Sequence, residues 1–107
     1  MPFWRIMNKQ PITDTFSFIK KKALPILKKH DVKRAAIFGS FARGEATSRS
    51  DVDFLIEYKS KNKSLFDLVE LKSDLEEMLN RKVDIITYKS IYWRLRERIL
   101  DEQVVIL

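Results

Sequence analysis

The chain has 107 residues, enough for one domain around one modest hydrophobic core, and a second domain is not expected. It carries 21 Lys and Arg against 15 Asp and Glu; the resulting charge of +6 suits an acidic partner such as a nucleotide, a nucleic acid or an acidic protein surface. It has no cysteine and a single histidine, His30, which excludes disulfides, thiolate metal sites, cysteine nucleophiles and, within one chain, a multi-histidine metal site. No apolar run approaches the length of a membrane span. The start MPFWRIMNKQ lacks the apolar core and cleavage site of a signal peptide, so a soluble cytoplasmic protein is expected.

Residues 1–12, with Pro2 and Pro11, read as an irregular N-terminal arm ahead of a single domain over 13–107. Thr13 or Asp14 can cap a helix in which Phe16, Ile19, Ala23 and Ile26 or Leu27 recur at helical spacing. Pro25 falls inside that run and is expected to kink it or to start a second piece. RAAIFG, residues 34–39, is short, apolar and closed by glycine, which predicts a buried strand. SFAR follows as one helical turn, opened by Ser40 and ended by Gly44. EATSRS is a polar loop, DVDFLIEY (51–58) a second strand and KSKNK a basic surface loop.

Ser64, with Asp67 three residues on, caps an amphipathic helix. Its apolar stripe is expected from Leu65, Leu68, Val69, Leu75 and Met78 or Leu79. KVDIITY predicts a third strand. Ser90 is expected to cap a last helix with Ile91, Leu95 and Ile99 on one face, and VVIL is a short strand at most. This order predicts an α/β (α+β) fold: a small mixed sheet with helices packed on at least one face.

The chemistry concentrates in FGSFARGEATSRSDVDFLIEY, residues 38–58, which holds both glycines of the chain. Asp51 and Asp53 alternate with apolar residues, so both project from the same face of the second strand. Carboxylates so placed repel each other and cost free energy unless something compensates them. A divalent cation favours both charges, and magnesium binds through one or two carboxylates plus substrate phosphates. Asp84, alone among apolar residues in the third strand, can join the pair if that strand lies beside the second. Three convergent carboxylates can then hold two metals about one phosphorus. Gly39 and Ser40 stand where a strand turns into a short helix. Glycine admits a close approach of phosphate to backbone amides, and the Ser40 hydroxyl adds a donor. Gly-Ser, ten residues, then Asp-x-Asp should arise by chance in on the order of one in a thousand chains of this length, at ~6% usage per residue.

This constellation resembles the DNA polymerase β-like nucleotidyltransferase superfamily. The string FGSFARGEATSRSDVDFLIE is similar to the minimal nucleotidyltransferases, and the likeness runs from about Thr13 to the C-terminus. It implies that Asp51, Asp53 and Asp84 bind metal, two Mg2+ ions in the expected case, and that Gly39 and Ser40 bind the phosphates of ATP. It implies further that Asp84 takes the proton from an attacking hydroxyl. Minimal nucleotidyltransferases commonly act as antitoxins, transferring AMP to a tyrosine of a helical HEPN-domain ribonuclease toxin and forming a complex with it. The resemblance therefore implies an ATP substrate and a HEPN toxin partner.

Other residues admit two readings. Arg43 can reach a phosphate, or it can pair with Glu45 or Asp51 and brace the loop. Ser50 can bond a phosphate or fold the loop locally, with the local role preferred. His30 reads as a surface residue at a helix end. Tyr88, Tyr92 and Trp93 can stack on a base, but at helical spacing core or interface is preferred. Arg94, Arg98 and the lysines at 20–22, 28–29 and 59–63 read as solvated surface. Two alternatives to protein adenylylation stay open: neutralising a toxin by contact alone, and nucleotidyl transfer to a small-molecule hydroxyl. Direct nucleic-acid binding rests on net charge only. A homo-oligomer is compatible with the sequence.

Overall fold

The short apolar run at residues 34–38 does form a strand, β1 (Val32–Phe38), and the rest of the sheet assembles on it. The computed structural model describes the backbone of residues 2–47 and 50–107, and the side chains of 16–47 and 50–107. β2 (Val52–Tyr58) pairs antiparallel with β1, and β3 (Val83–Thr87) pairs parallel with β2. β4 (Val104–Val105) closes the other edge, antiparallel to β1, so the order is β3-β2-β1-β4. The mixed sheet expected from the sequence is therefore present.

Alternation divides the strand residues between two faces. Val32, Ala35, Ile37, Val52, Phe54, Ile56 and Val83 pack on one face against α1 (Pro2–Lys29) and α3 (Leu65–Leu79). Ile19, Ala23 and Leu27 of α1 are fully buried there, as their spacing predicts. From α3 come Leu71, Leu75 and Leu79. The stripe of α3 is thus rotated from the one expected: Leu65, Val69 and Met78 are exposed, and Leu71 belongs to the core. Burial of the 71–75–79 ridge against α1 decides the rotation, and helical periodicity alone allows either. On the opposite face Ala36 and Leu55 meet Tyr88 and Ile91. α4 (Trp93–Glu102) covers this face only partly and buries none of its residues.

Four local expectations need correction. Residues 2–12 are helical and continuous with the rest of α1, not an irregular arm, and Thr13 and Asp14 lie within that helix. The helix also passes through Pro25. A proline there leaves the Lys21 carbonyl without its usual amide partner, and the buried ridge Ile19, Ala23 and Leu27 offsets that loss. Ser90 does not cap α4. It lies in a single 3-10 turn (Tyr88–Ser90) and accepts a hydrogen bond from Thr87 Oγ1 at 2.8 Å. His30 is not a free surface residue: its Nε2 lies 2.7 Å from Asp74 Oδ2 and ties the end of α1 to α3.

Other signals were read correctly. Ser64 and Asp67 form the capping box of α3, with Asp67 Oδ2 accepting from the Ser64 amide at 2.7 Å. Among the described residues no helix is long and apolar enough to cross a membrane.

Candidate active site

Where β1 runs out, the chain turns sharply over the start of β2. Phe38 stands opposite Asp53 in the antiparallel ladder, so Gly39 passes directly above the Asp53 carboxylate. A Cβ at Gly39 would collide with Asp53 Oδ2 and lie 3.2 Å from its Cγ. Gly39 also has φ 75°, a left-handed conformation that side chains disfavour. Glycine is needed here on two counts. The sequence suggested only the approach of a phosphate; clearance for Asp53 is an added requirement. α2 (Ser40–Arg43) follows as the expected single turn, and Gly44, at φ 73° and ψ 20°, ends it in the left-handed conformation. The Glu45 amide then donates to the Ser40 carbonyl at 2.9 Å.

The carboxylates come together through the sheet. Asp53 and Asp84 are register partners across the parallel β2–β3 ladder. Asp51 lies two residues before Asp53, on the same side of the chain. Asp53 is half-buried, whereas Asp51 and Asp84 are exposed. Burial, then the charges of Asp84 and Asp51, push the Asp53 carboxyl up to about 6, and Arg43 pulls weakly the other way. The fold thus places Asp51 and Asp84 each within electrostatic reach of Asp53 at one corner of the sheet. The three carboxylates are not drawn to a common point: among the described residues no three acidic or imidazole side chains stand close enough to share a cation.

Comparison with known proteins decides the family. A sequence profile of the nucleotidyltransferase domain matches residues 20–106. The chain belongs to this family. A Methanocaldococcus jannaschii protein named as a candidate protein adenylyltransferase is 55% identical to the nucleotidyltransferase over 89 residues, 83% of this chain and 95% of its own. The solved structure of a candidate minimal nucleotidyltransferase superposes with a TM-score of 0.74 at 35% identity, over 85% of this chain and 92% of its own. A crystal structure of a toxin–antitoxin with AMP-PNP shares the fold, with a TM-score of 0.71 at 19% identity, over 82% and 72% of the two chains. The nucleotidyltransferase is a transferase enzyme by this membership, and the fold expected from the sequence is the fold of these relatives.

The remaining residues fall into place around the corner. Arg43 takes the bracing option: Nε donates to Glu45 Oε1 at 2.8 Å and Nη1 to Glu102 Oε2 at 3.3 Å, with no bond to Asp51. These two carboxylates raise the Arg43 pKa, the bond to Glu45 contributing most. Ser50 folds the loop. Its Oγ accepts from the Thr47 amide at 2.8 Å, and its own amide donates to the Thr47 carbonyl at 3.1 Å. Tyr88 is core, while Tyr92 and Trp93 are exposed.

Two residues near the site were missed. Arg81 donates to the carbonyls of Thr47 and Ser50, each at 3.2 Å, and its guanidinium stacks 5.2 Å from the Phe41 ring centroid. It therefore clasps the loop leading into Asp51 and the helical turn beside it. Glu102 holds Arg43 from the end of α4. Nothing in the spacing of either residue marks it; only the fold brings them to the corner.

Proposed function

We propose that this nucleotidyltransferase transfers AMP from ATP to a hydroxyl of a cognate protein, and that the acceptor is a tyrosine of a HEPN-domain ribonuclease toxin that it thereby silences. The observation that carries the reading is the register of Asp53 with Asp84 beneath the Gly39–Ser40 turn. The protein adenylyltransferase name of the Methanocaldococcus relative and the toxin–antitoxin fold neighbour support the acceptor class. The exposed aromatics Tyr92 and Trp93, 56% and 71% accessible, supply apolar surface of the kind protein partners cover.

The donor set suits magnesium. All three groups are carboxylates and the chain has no thiolate; burial first, then the charges of Asp84 and Asp51, disfavour the ionised Asp53, and a divalent cation would offset that charge. Asp51, Asp53 and Asp84 would hold Mg2+, two ions in the full site. When bound, the metal activates the attacking oxygen and offsets charge on the leaving pyrophosphate. Gly39 and Ser40 bind the triphosphate through backbone amides and the Ser40 hydroxyl, and Arg43 adds positive charge beside them. The acceptor oxygen forms a bond to the α-phosphorus as the bond to the bridging oxygen breaks. Asp84, exposed on the edge strand, accepts the hydroxyl proton.

Intact-mass measurement of a candidate HEPN-domain protein incubated with this one tests the reading. Incubation with ATP and magnesium is expected to add the mass of one or more adenylyl groups. No mass gain with any of the four nucleotides would defeat the enzyme reading. Neutralisation of the toxin by Asp53→Asn would show that contact alone suffices.

A further inference from the structure

The far end of the sheet holds a cavity of about 250 Å3, between the C-terminal ends of β2 and β3 and the loop over residues 59–63. Five lysines line it: Lys33, Lys59, Lys61, Lys63 and Lys89. The one acid in the lining, Glu57, is already paired with Arg34 at 3.1 Å. Lys63 reaches Asp31 only at 4.0 Å, and no ion pair is formed by the other four lysines among the described residues. Ammonium groups around one concavity repel each other and raise the local concentration of anions.

The chemistry of the lining narrows the anion. No arginine contributes to it; the five ammonium groups act as point charges, which can bind phosphate oxygens, and their number suits an anion that carries several charges. One face of the Tyr88 ring is covered by Arg34, 4.0 Å from its centroid, which leaves that face closed to a base. Of the four hydroxyls in the lining, three are engaged: Ser60 Oγ accepts from the Asn62 amide, Thr87 Oγ1 donates to Ser90 and Tyr88 Oη donates to Gln103, while Tyr58 Oη is buried without a hydrogen-bond partner. The volume lies below the roughly 300–1,000 Å3 of drug-sized ligand pockets, so it favours a compact group over a whole nucleoside. Asp53 and Tyr58 are five residues apart along β2, about 17 Å at ~3.3 Å per residue. The cavity is therefore separate from the catalytic carboxylates, and both can be occupied together.

We propose that this lysine pocket is a second anion site that takes a compact polyphosphate group, pyrophosphate or a triphosphate. Amide NMR on the full chain tests it, in EDTA at constant ionic strength, with pyrophosphate, tripolyphosphate or ATP as titrant and sulfate as control. In EDTA the three aspartates repel phosphate, so the catalytic corner stays silent. Saturable shifts are expected over Lys59–Lys63 and Thr87–Lys89. Affinity should fall at least tenfold in Lys61→Ala/Lys89→Ala and persist in Asp53→Asn. Equal binding of ATP and tripolyphosphate would identify a nucleotide tail as the source, and binding of pyrophosphate and tripolyphosphate without ATP would identify a free polyphosphate. Shifts that fail to saturate, that sulfate reproduces, or that centre on Gly39 and Ser40 would overturn the proposal. The measurement does not involve adenylyl transfer, so it stands or falls apart from the proposed function.

Discussion

Asp53→Asn is expected to inactivate the enzyme and, in the absence of metal, to stabilise it. The Asp53 carboxyl rises from an ordinary 3.8 to about 6 through burial and the charges of Asp84 and Asp51. A carboxyl whose folded pKa exceeds its unfolded one binds its proton more tightly in the native state. The stability that proton confers is complete below pH 3.8 and is lost as pH rises through about 6. Wild type at pH 7.5 in EDTA therefore holds a charge that the fold disfavours, and the asparagine variant does not. Roughly two pKa units at about 1.36 kcal/mol each set a ceiling of about 3 kcal/mol. Asp53 is partly open to solvent and the amide must itself be desolvated, so we expect about 1–2 kcal/mol. For a domain of this size that is a rise in Tm of about 4–8 °C per kcal/mol. Urea or thermal unfolding in EDTA at pH 7.5 and pH 4 measures it, and the gain should be largely gone at pH 4. A variant no more stable than wild type at pH 7.5, or stabilised equally at pH 4, would refute the electrostatic account of the corner.

Gly39→Ala should destabilise the fold by about 1–3 kcal/mol and abolish ATP binding, since it adds a collision with Asp53 to the left-handed strain. Gly44→Ala has no atom within 4 Å of its Cβ and should show the strain alone, so equal losses of ATP binding by calorimetry would contradict the distinction. Tyr58 Oη is buried without a hydrogen-bond partner, so Tyr58→Phe should leave chemical stability unchanged or raise it by about 1 kcal/mol; a clear loss in urea unfolding would reveal a partner. Arg81→Met removes both carbonyl bonds and the contact with Phe41. It should weaken Mg2+-dependent activity by raising the metal concentration needed, with about 1–2 kcal/mol lost in stability; an unchanged metal titration would exclude a role for the clasp.

The sheet and the carboxylate pair were legible because strand alternation is strict. Asp51 and Asp53 had to share a side, and Asp84 among apolar residues had to face the same way once β3 lay beside β2. Gly39 and Gly44 were legible as turn residues from their spacing. The clearance under Gly39 was not, because it depends on the Phe38–Asp53 register, a pairing between distant segments. The stripe of α3 was misplaced because Leu65, Val69 and Leu71 all satisfy a helical period, and packing against α1 chooses among them. The start of α1 was missed because proline rules act locally, and the helix continues through Pro11 and Pro25 regardless. Arg81, Glu102 and the lysine pocket lie outside any motif, since each is made by elements far apart in sequence.

The central claim is that Asp51, Asp53 and Asp84 act as one site for cation and triphosphate. Electron paramagnetic resonance of Mn2+, titrated into the protein with a non-hydrolysable ATP analogue, measures this directly. The account predicts tight Mn2+ binding that depends on the nucleotide and falls at least tenfold in each of Asp51→Asn, Asp53→Asn and Asp84→Asn. Binding of Mn2+ and nucleotide that is unchanged by Asp53→Asn would contradict it.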